Sequence, residues 1–416
     1  MKVLVYPHDL QIGGSQINAI DLAAEMVEQG HEALVYAIDG PLRPYIEGRG
    51  LRFVAANPLH YRPGPTRIPQ IHQLVRREGI DVIHAYEWPP ALDAFYGANL
   101  PLGTPVLCTV LSMSVSPLVP KTMPLVMGTD ELGEEARRAG YPDVRVLEPP
   151  IDVVLDTPDI DGRPWRRELG IGDDELAVVS VSRLSIDLKL DALVDAIDAA
   201  GLLADRHPVR FVLVGSGNAE AQLRERAAAV NAAAGREVVL LPGSLADPRP
   251  AYAGSDIVIG MGSSALRGMA HARPVVVQGV DGWSLPCTEG TFATFQWQGF
   301  WGHGSGASGA PLLAEQLDEL LGDGDQRRTL GAWSREIVCD RFSLASAGAT
   351  LLDIFKSLLA APRPPRRALL RDAWTCGRRA AAVEVQLHLP SNKRKDAHEN
   401  AAKLSDAARP NQETRA

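Results

Sequence analysis

The chain has 416 residues, of which 45% are hydrophobic and 22% charged, an ordinary globular composition long enough for two or three domains. Its net charge is −9, yet residues 361–416 carry twelve Lys/Arg against six Asp/Glu, which leaves a body near −15 and a tail near +6. An acidic body excludes general nucleic-acid binding, which needs a basic footprint.

From the N-terminus, KVLVY reads as a buried strand. Its apolar run is cut by Pro7, His8 and Asp9, too early for the core of a signal peptide. Ser15 is expected to cap a helix with Ile17, Ile20, Ala24 and Val27 on its apolar face, closed by Gly30. Strand EALVYA follows, then a helix over 66–78 and strand IDVIHA. PVLCTV and PLVMG read as two more strands, 131–139 as a helix closed by Gly140, and DVRVL as a further strand. Alternation at this spacing predicts a parallel sheet with helices on both faces.

Near Glu148 the pattern breaks into EPPIDVVLDTPDIDGRP, rich in Pro and Asp and read as a linker. Alternation restarts with LAVVSVS, a helix from about Leu190, VRFVLVG, a helix from about Ala219, EVVLL, a short helix near Tyr252, DIVIG, a helix near Ala265, and RPVVV. HGSGASGA (303–310) reads as a flexible loop, and helices follow over 311–321, 326–339 and 343–359. The expected organisation is one doubly wound domain over 1–150, a second over 151–342, a closing helix over 343–360, and a basic, disordered tail over 361–416. No stretch approaches the about 18 apolar residues of a membrane span. Cys108, Cys287, Cys339 and Cys376 are scattered without zinc spacing and read as reduced thiols of a cytoplasmic protein; no metal motif is visible.

Doubly wound sheets bind ligands at the carboxyl ends of their strands, so the loops there hold the candidates. Gly13 and Gly14 lie between the first strand and the first helix, where a ligand could approach the backbone, or where the chain simply turns. They do not form G-x-G-x-x-G, so no nicotinamide cofactor is indicated, and none of any other kind is expected. Arg183 follows LAVVSVS directly, and Lys189 lies six residues on, where the next helix begins. Two fixed cations suit a leaving nucleoside diphosphate, whose oxygen gains negative charge as the bond to the sugar breaks; the plainer alternative is a solvated basic pair. Gly215 and Gly217 mark another strand-to-helix junction, and Gly262, Ser263 and Ser264 open a helix that could cradle phosphates. His84 and Glu87, after IDVIHA, are candidates for the acceptor or sugar side, with a structural histidine as the alternative.

These pieces together resemble the GT-B glycosyltransferases, and within them the retaining glycosyltransferase family 4. The residues that carry the resemblance are GGSQ near the N-terminus, Arg183 with Lys189, VLVGSGN, GMAHARPVVV, and RRTLGAWSREIVCDRFSLASA, in this order over residues 1–359. The resemblance implies an α/β fold of GT-B architecture, two Rossmann-like domains facing across a cleft, with the donor bound mainly by the second. It implies that Arg183 and Lys189 hold the donor diphosphate near Gly14, that anomeric configuration is retained, and that no metal is obligatory. The implied partners are a nucleotide-diphosphate sugar and an unknown acceptor.

Two departures stand out. Arg267 occupies the place of a family Glu that accepts hydrogen bonds from the donor ribose, and the motif's earlier Glu has no counterpart, Ile259 standing eight residues before Arg267. A guanidinium only donates, so three readings stay open: an unusual, acidic sugar; an Arg267 turned away to pair with an acidic neighbour; or a damaged donor site. The first-domain stretch TVLSMSVSP offers Ser112, Ser114 and Ser116 where many relatives carry a His. Rival functions are therefore a non-catalytic GT-B-like partner protein and a nucleotide-sugar epimerase. In the tail, RRALLRDAWTCGRR could form a helix with Leu369, Leu370 and Trp374 among five arginines, which suggests peripheral contact with the inner face of a membrane.

Overall fold

The computed structural model describes residues 1–387 apart from 12, 59 and 60. The chain divides into two compact units. The first contains Met1–Val126, Ala136–Arg145 and the described chain from Phe355 onward; the second contains Met127–Glu135 and Val146–Ile354.

Seven strands form the sheet associated with the first unit: β1 Lys2–Tyr6, β2 Glu32–Ala37, β3 Arg52–Ala55, β4 Val82–Tyr86, β5 Val106–Val110, β6 Leu125–Met127 and β7 Val144–Val146, in the order β3-β2-β1-β4-β5-β6-β7. β1 pairs in parallel with both β2 and β4. β4 and β5 are buried along their whole length, which is why VIHAY and VLCTV read as continuous runs rather than alternating ones. The first helix, Gly14–Glu28, begins one residue before the expected Ser15 cap. Gly13 is its N-cap without a side-chain bond, and the Ser15 hydroxyl is buried without a partner.

The sheet of the second unit has six strands: β8 Leu176–Val181, β9 Val209–Val214, β10 Val239–Gly243, β11 Ile257–Gly260, β12 Val275–Gln278 and β13 Ser284–Pro286, ordered β10-β9-β8-β11-β12-β13. All described pairings are parallel except the edge pair β12 with β13. One core layer packs β8, β9 and β11 against the helices Ile186–Leu203 and Ala310–Gly322 through Val178, Ile197, Leu203, Phe211, Ile259 and Leu317.

Two expectations are corrected, and one unassigned segment gains structure. The 303–310 stretch is anchored rather than loose: Asp195 Oδ1 accepts from Gly309 N (3.0 Å) and Ser308 Oγ (3.2 Å), and Gly304 and Gly306 donate to Val280 and Asp281. The segment Trp88–Leu102, to which the sequence assigns no element, is helical, α then π then α. Pro89 and Pro90 sit in its first turn, where a missing N–H costs nothing. The tail, read as disordered from 361 but with a possible helix in RRALLRDAWTCGRR, contains a 22-residue helix, Arg366–Leu387, because its inner face finds a partner: Leu369, Cys376 and Ala380 are buried, the latter two against Leu92 and Leu118. The rest of that tail lies outside the described residues.

Candidate functional site

The order of the second sheet reverses between β8 and β11, so their carboxyl ends flank its topological switch point. Arg183 and Lys189 leave β8, and Gly262, Ser263 and Ser264 leave β11; the structure brings these two loops out side by side. The first loop is tightly fixed. Ser182 and Leu184 donate to Val214 and Ser216, Ala219 donates to Leu184, and Asn218 Oδ1 accepts from Ile186 N at 2.9 Å. Asp187 (ψ 127°) and Leu188 (φ 61°) are non-helical, so regular helix starts only at Lys189. A leucine in the left-handed region costs about 1–2 kcal/mol, and that strain sets where Lys189 enters the first turn.

Lys189 is half-buried and Arg183 exposed. Desolvation, then the nearby Arg183 charge, push the Lys189 ammonium down to about 8. Among the described residues neither cation has a salt-bridge partner, and two close cations without a carboxylate between them favour an anion. Gly215 and Gly217, expected at the donor, have a packing role. A Cβ on Gly215, whose φ is 151°, would lie 1.9 Å from Ser182 O, and one on Gly217 would lie 2.2 Å from Leu184 O. Both glycines let the β9 loop lie against the loop that carries the cations.

At the β11 end, Gly262 (φ 61°) caps the helix Ser263–Ala270 without a side-chain bond, while its own N–H donates to Phe300 O at 2.7 Å. The Ser264 hydroxyl accepts from Tyr252. Arg267, one turn on, meets Asp156: Nη1 lies 2.9 Å from Oδ2 and 3.2 Å from Oδ1. Asp156 is 1% exposed, and His271 Nε2 lies 3.4 Å from the same carboxylate, its ring stacked on Tyr252. Arg335 ties this knot to the chain by donating to the carbonyls of Val153, Asp156 and Ala270. The acidic neighbour anticipated for Arg267 is thus Asp156. Sequence reasoning missed it because four Asp residues crowd the segment read as a linker, and spacing does not tell which one is buried.

In the first unit the order reverses between β1 and β4, and Gly13, Gly14 and Glu87 lie at that end. The loop after β1 holds a cluster that sequence reasoning passed over: Gln16 Nε2 lies 2.6 Å from Asp9 Oδ1 and 3.0 Å from His8 Nε2. Glu87 has a left-handed φ of 67°, and its carboxylate is engaged. Oε1 accepts from Leu111 N and Ser112 N, and Oε2 from Ser112 Oγ. It therefore acts by fixing the 111–112 turn.

His84 is corrected. It lies within β4, 1% exposed, with Nε2 2.7 Å from Thr109 Oγ1 and its ring edge-on to Phe355. No acceptor or sugar reaches such a side chain. Burial pushes its pKa down to about 3. The unfolded chain, with an ordinary imidazole near 6.5, binds a proton that the folded chain refuses between those two values. The stability this group contributes is therefore complete above about pH 6.5 and declines as the pH falls. Chemical denaturation at pH 7 and pH 5 should show a larger loss for the wild-type chain than for His84→Gln. Parallel losses would place the histidine elsewhere.

Among the described residues no group of His, Cys, Asp and Glu is arranged to hold a metal ion. No described helix is long and apolar enough to cross a membrane.

With this geometry in place, similarity to known proteins is informative. Residues 12–119 match the family model described as Glycosyltransferase Family 4, and residues 175–292 match that described as Glycosyl transferases group 1. An uncharacterised glycosyltransferase of Methanocaldococcus jannaschii is 23% identical over 311 residues, which is 65% of this chain and 78% of that protein. A glycosyltransferase of Rickettsia africae superposes with a TM-score of 0.70 at 15% identity, over 87% of this chain and 99% of its own. HepE of Anabaena, solved in complex with UDP, superposes with a TM-score of 0.67 at 20% identity, over 86% and 100% of the two chains.

Proposed function

We propose that this chain, a glycosyltransferase of GT-B fold resembling glycosyltransferase family 4, moves a hexose from a nucleotide-diphosphate donor to an acceptor with retention of configuration. The observation that carries the reading is the pair Arg183 and Lys189, without a salt-bridge partner among the described residues and fixed at the switch point of the second unit. As the bond from the anomeric carbon to phosphate breaks, its electron pair goes to the diphosphate oxygen. The guanidinium can bridge two phosphate oxygens while the ammonium adds a point charge. The acceptor hydroxyl oxygen bonds the anomeric carbon, and its proton passes to the leaving phosphate. The first N–H groups of the helix Ser263–Ala270 add a positive helix end beside them. In this reading the second unit binds the nucleotide sugar, the first carries the acceptor side at the turn that Glu87 holds, and Gly13 and Gly14 keep the donor role that the family resemblance implies. HepE was solved with UDP-glucose, so a uridine nucleotide is the first donor base to try. All four cysteines are free, which suits a reducing cytoplasm, with the protein peripheral to the membrane there. The Arg267–Asp156 pair keeps a second reading, a non-catalytic relative with an altered donor site, in contention.

Incubation with UDP-, GDP- and TDP-hexoses should release nucleoside diphosphate slowly without acceptor. Proton NMR of the first transferred product should show the donor's anomeric configuration. Inversion would overturn retention, and no release or transfer from any donor would favour the non-catalytic relative.

The depressed Lys189 pKa gives a further expectation. The free ammonium loses its proton near pH 8, and a bound diphosphate restores it. Nucleotide binding should therefore take up a proton at pH 9 but not at pH 7, and affinity should fall as the pH rises through 8. Calorimetry in buffers of different ionisation enthalpy reads this directly. Proton uptake that persists in Lys189→Arg would assign it to another group.

A further inference from the structure

The helix Arg366–Leu387 lies beyond both family matches, and its outward face differs in character from the acidic body. It is docked on the first unit by its inner side. Leu369, Asp372, Cys376 and Ala380 are buried, Asp372 Oδ2 accepts from Thr122 N at 2.7 Å, Glu384 Oε1 accepts from Arg62 N at 2.8 Å, and the Tyr96 hydroxyl donates to Ala373 O. Both acidic side chains of the helix are therefore engaged toward the protein. On the opposite side, Arg366, Arg367, Leu370, Arg371, Trp374, Arg378 and Val385 are exposed, Trp374 to 75%. At 3.6 residues per turn these positions fall on one face, with Trp374 between Leu370 and Arg378 four residues to either side and Arg371 three before it. A solvated helix face would carry mixed charges and no exposed indole. This one combines cations of one sign with amphipathic anchors, as helices that lie in the plane of a membrane surface do.

We infer that this face docks the protein on an anionic phospholipid surface. Charge complementarity selects that occupant. A body near −15 is repelled by such a surface, so contact has to run through an arginine-lined face, with Trp374 and Leu370 entering the headgroup region. Docking stands independently of sugar transfer, and vesicle flotation reads it without a donor.

Full-length protein is floated with vesicles of phosphatidylcholine alone and of phosphatidylcholine mixed with phosphatidylglycerol. The wild-type chain should rise with the mixed vesicles only, and high salt should release it. At about fivefold per basic residue, the exposed triple R367E/R371E/R378E should weaken binding at least tenfold, and Trp374→Ala should weaken it too. Both variants should keep the wild-type melting temperature and donor hydrolysis in solution. Equal behaviour with the two vesicle types, or binding unchanged in the triple variant, would overturn the inference. So would a dimer in sedimentation equilibrium that Trp374→Ala dissociates, which would assign the face to a second copy of the chain.

Discussion

Arg183→Ala or Lys189→Ala, assayed at saturating donor, is expected to lower turnover about 10- to 150-fold. The range corresponds to about 1.5–3 kcal/mol for one charge-assisted hydrogen bond to phosphate. The effect should fall on kcat more than on donor affinity, because the negative charge on the leaving oxygen is greater in the transition state than in the bound donor. The fold should survive both changes. Arg183 is exposed, and the loop that carries Lys189 is held by backbone bonds to Val214 and Ser216 rather than by either side chain. Lys189→Arg keeps the charge but replaces a compact ammonium with a planar fork in a half-buried place, so it should recover only part of the rate. Unchanged turnover in both alanine variants would remove these residues from the chemistry.

Asp156→Ala should destabilise the second unit by about 3–5 kcal/mol, since removing one partner of a buried pair strands the other. The stranded groups are the Arg267 guanidinium and the His271 imidazole, the latter fully buried. Urea denaturation reads the change, and a loss below about 1 kcal/mol would show that the pair behaves as an exposed one. The same geometry alters what Arg267→Glu should do. The family resemblance alone suggests that a carboxylate at this position gains the donor ribose. In this fold it would face the buried Asp156 carboxylate, so the single change should lower stability before it can tighten any nucleotide.

The alternation of strands and helices was legible because central parallel strands such as VIHAY and LAVVSV are unbroken apolar runs between turn residues. The edge strand β13, Ser284–Pro286, is three residues long and ends in proline, so no periodicity announces it. The helical stretch after Glu87 was hidden by WPP, which punctuates a sequence although proline is harmless in a first turn. At the candidate site, Arg183 and Lys189 were visible because a strand end and a helix start bracket them. At His84 the structural alternative holds: it lies inside β4, three residues before Glu87, and that difference in depth decides between core and surface. Gly215 and Gly217 were located correctly, but their reason, contact with Ser182 and Leu184, is a relation between two loops distant in sequence. The Asp156 partnership spans more than a hundred residues and has no local signature.

The central claim is that Arg183 and Lys189 hold the diphosphate of a nucleotide. Titration calorimetry with UDP, then GDP and TDP, on the wild-type chain and on R183A/K189A tests it most directly. The account predicts that at least one nucleotide binds the wild-type chain between micromolar and low-millimolar Kd, about −8 to −4 kcal/mol, and that the double variant binds it at least tenfold more weakly. Binding of equal strength to both proteins, or no binding of any of the three to the wild-type chain, would contradict it.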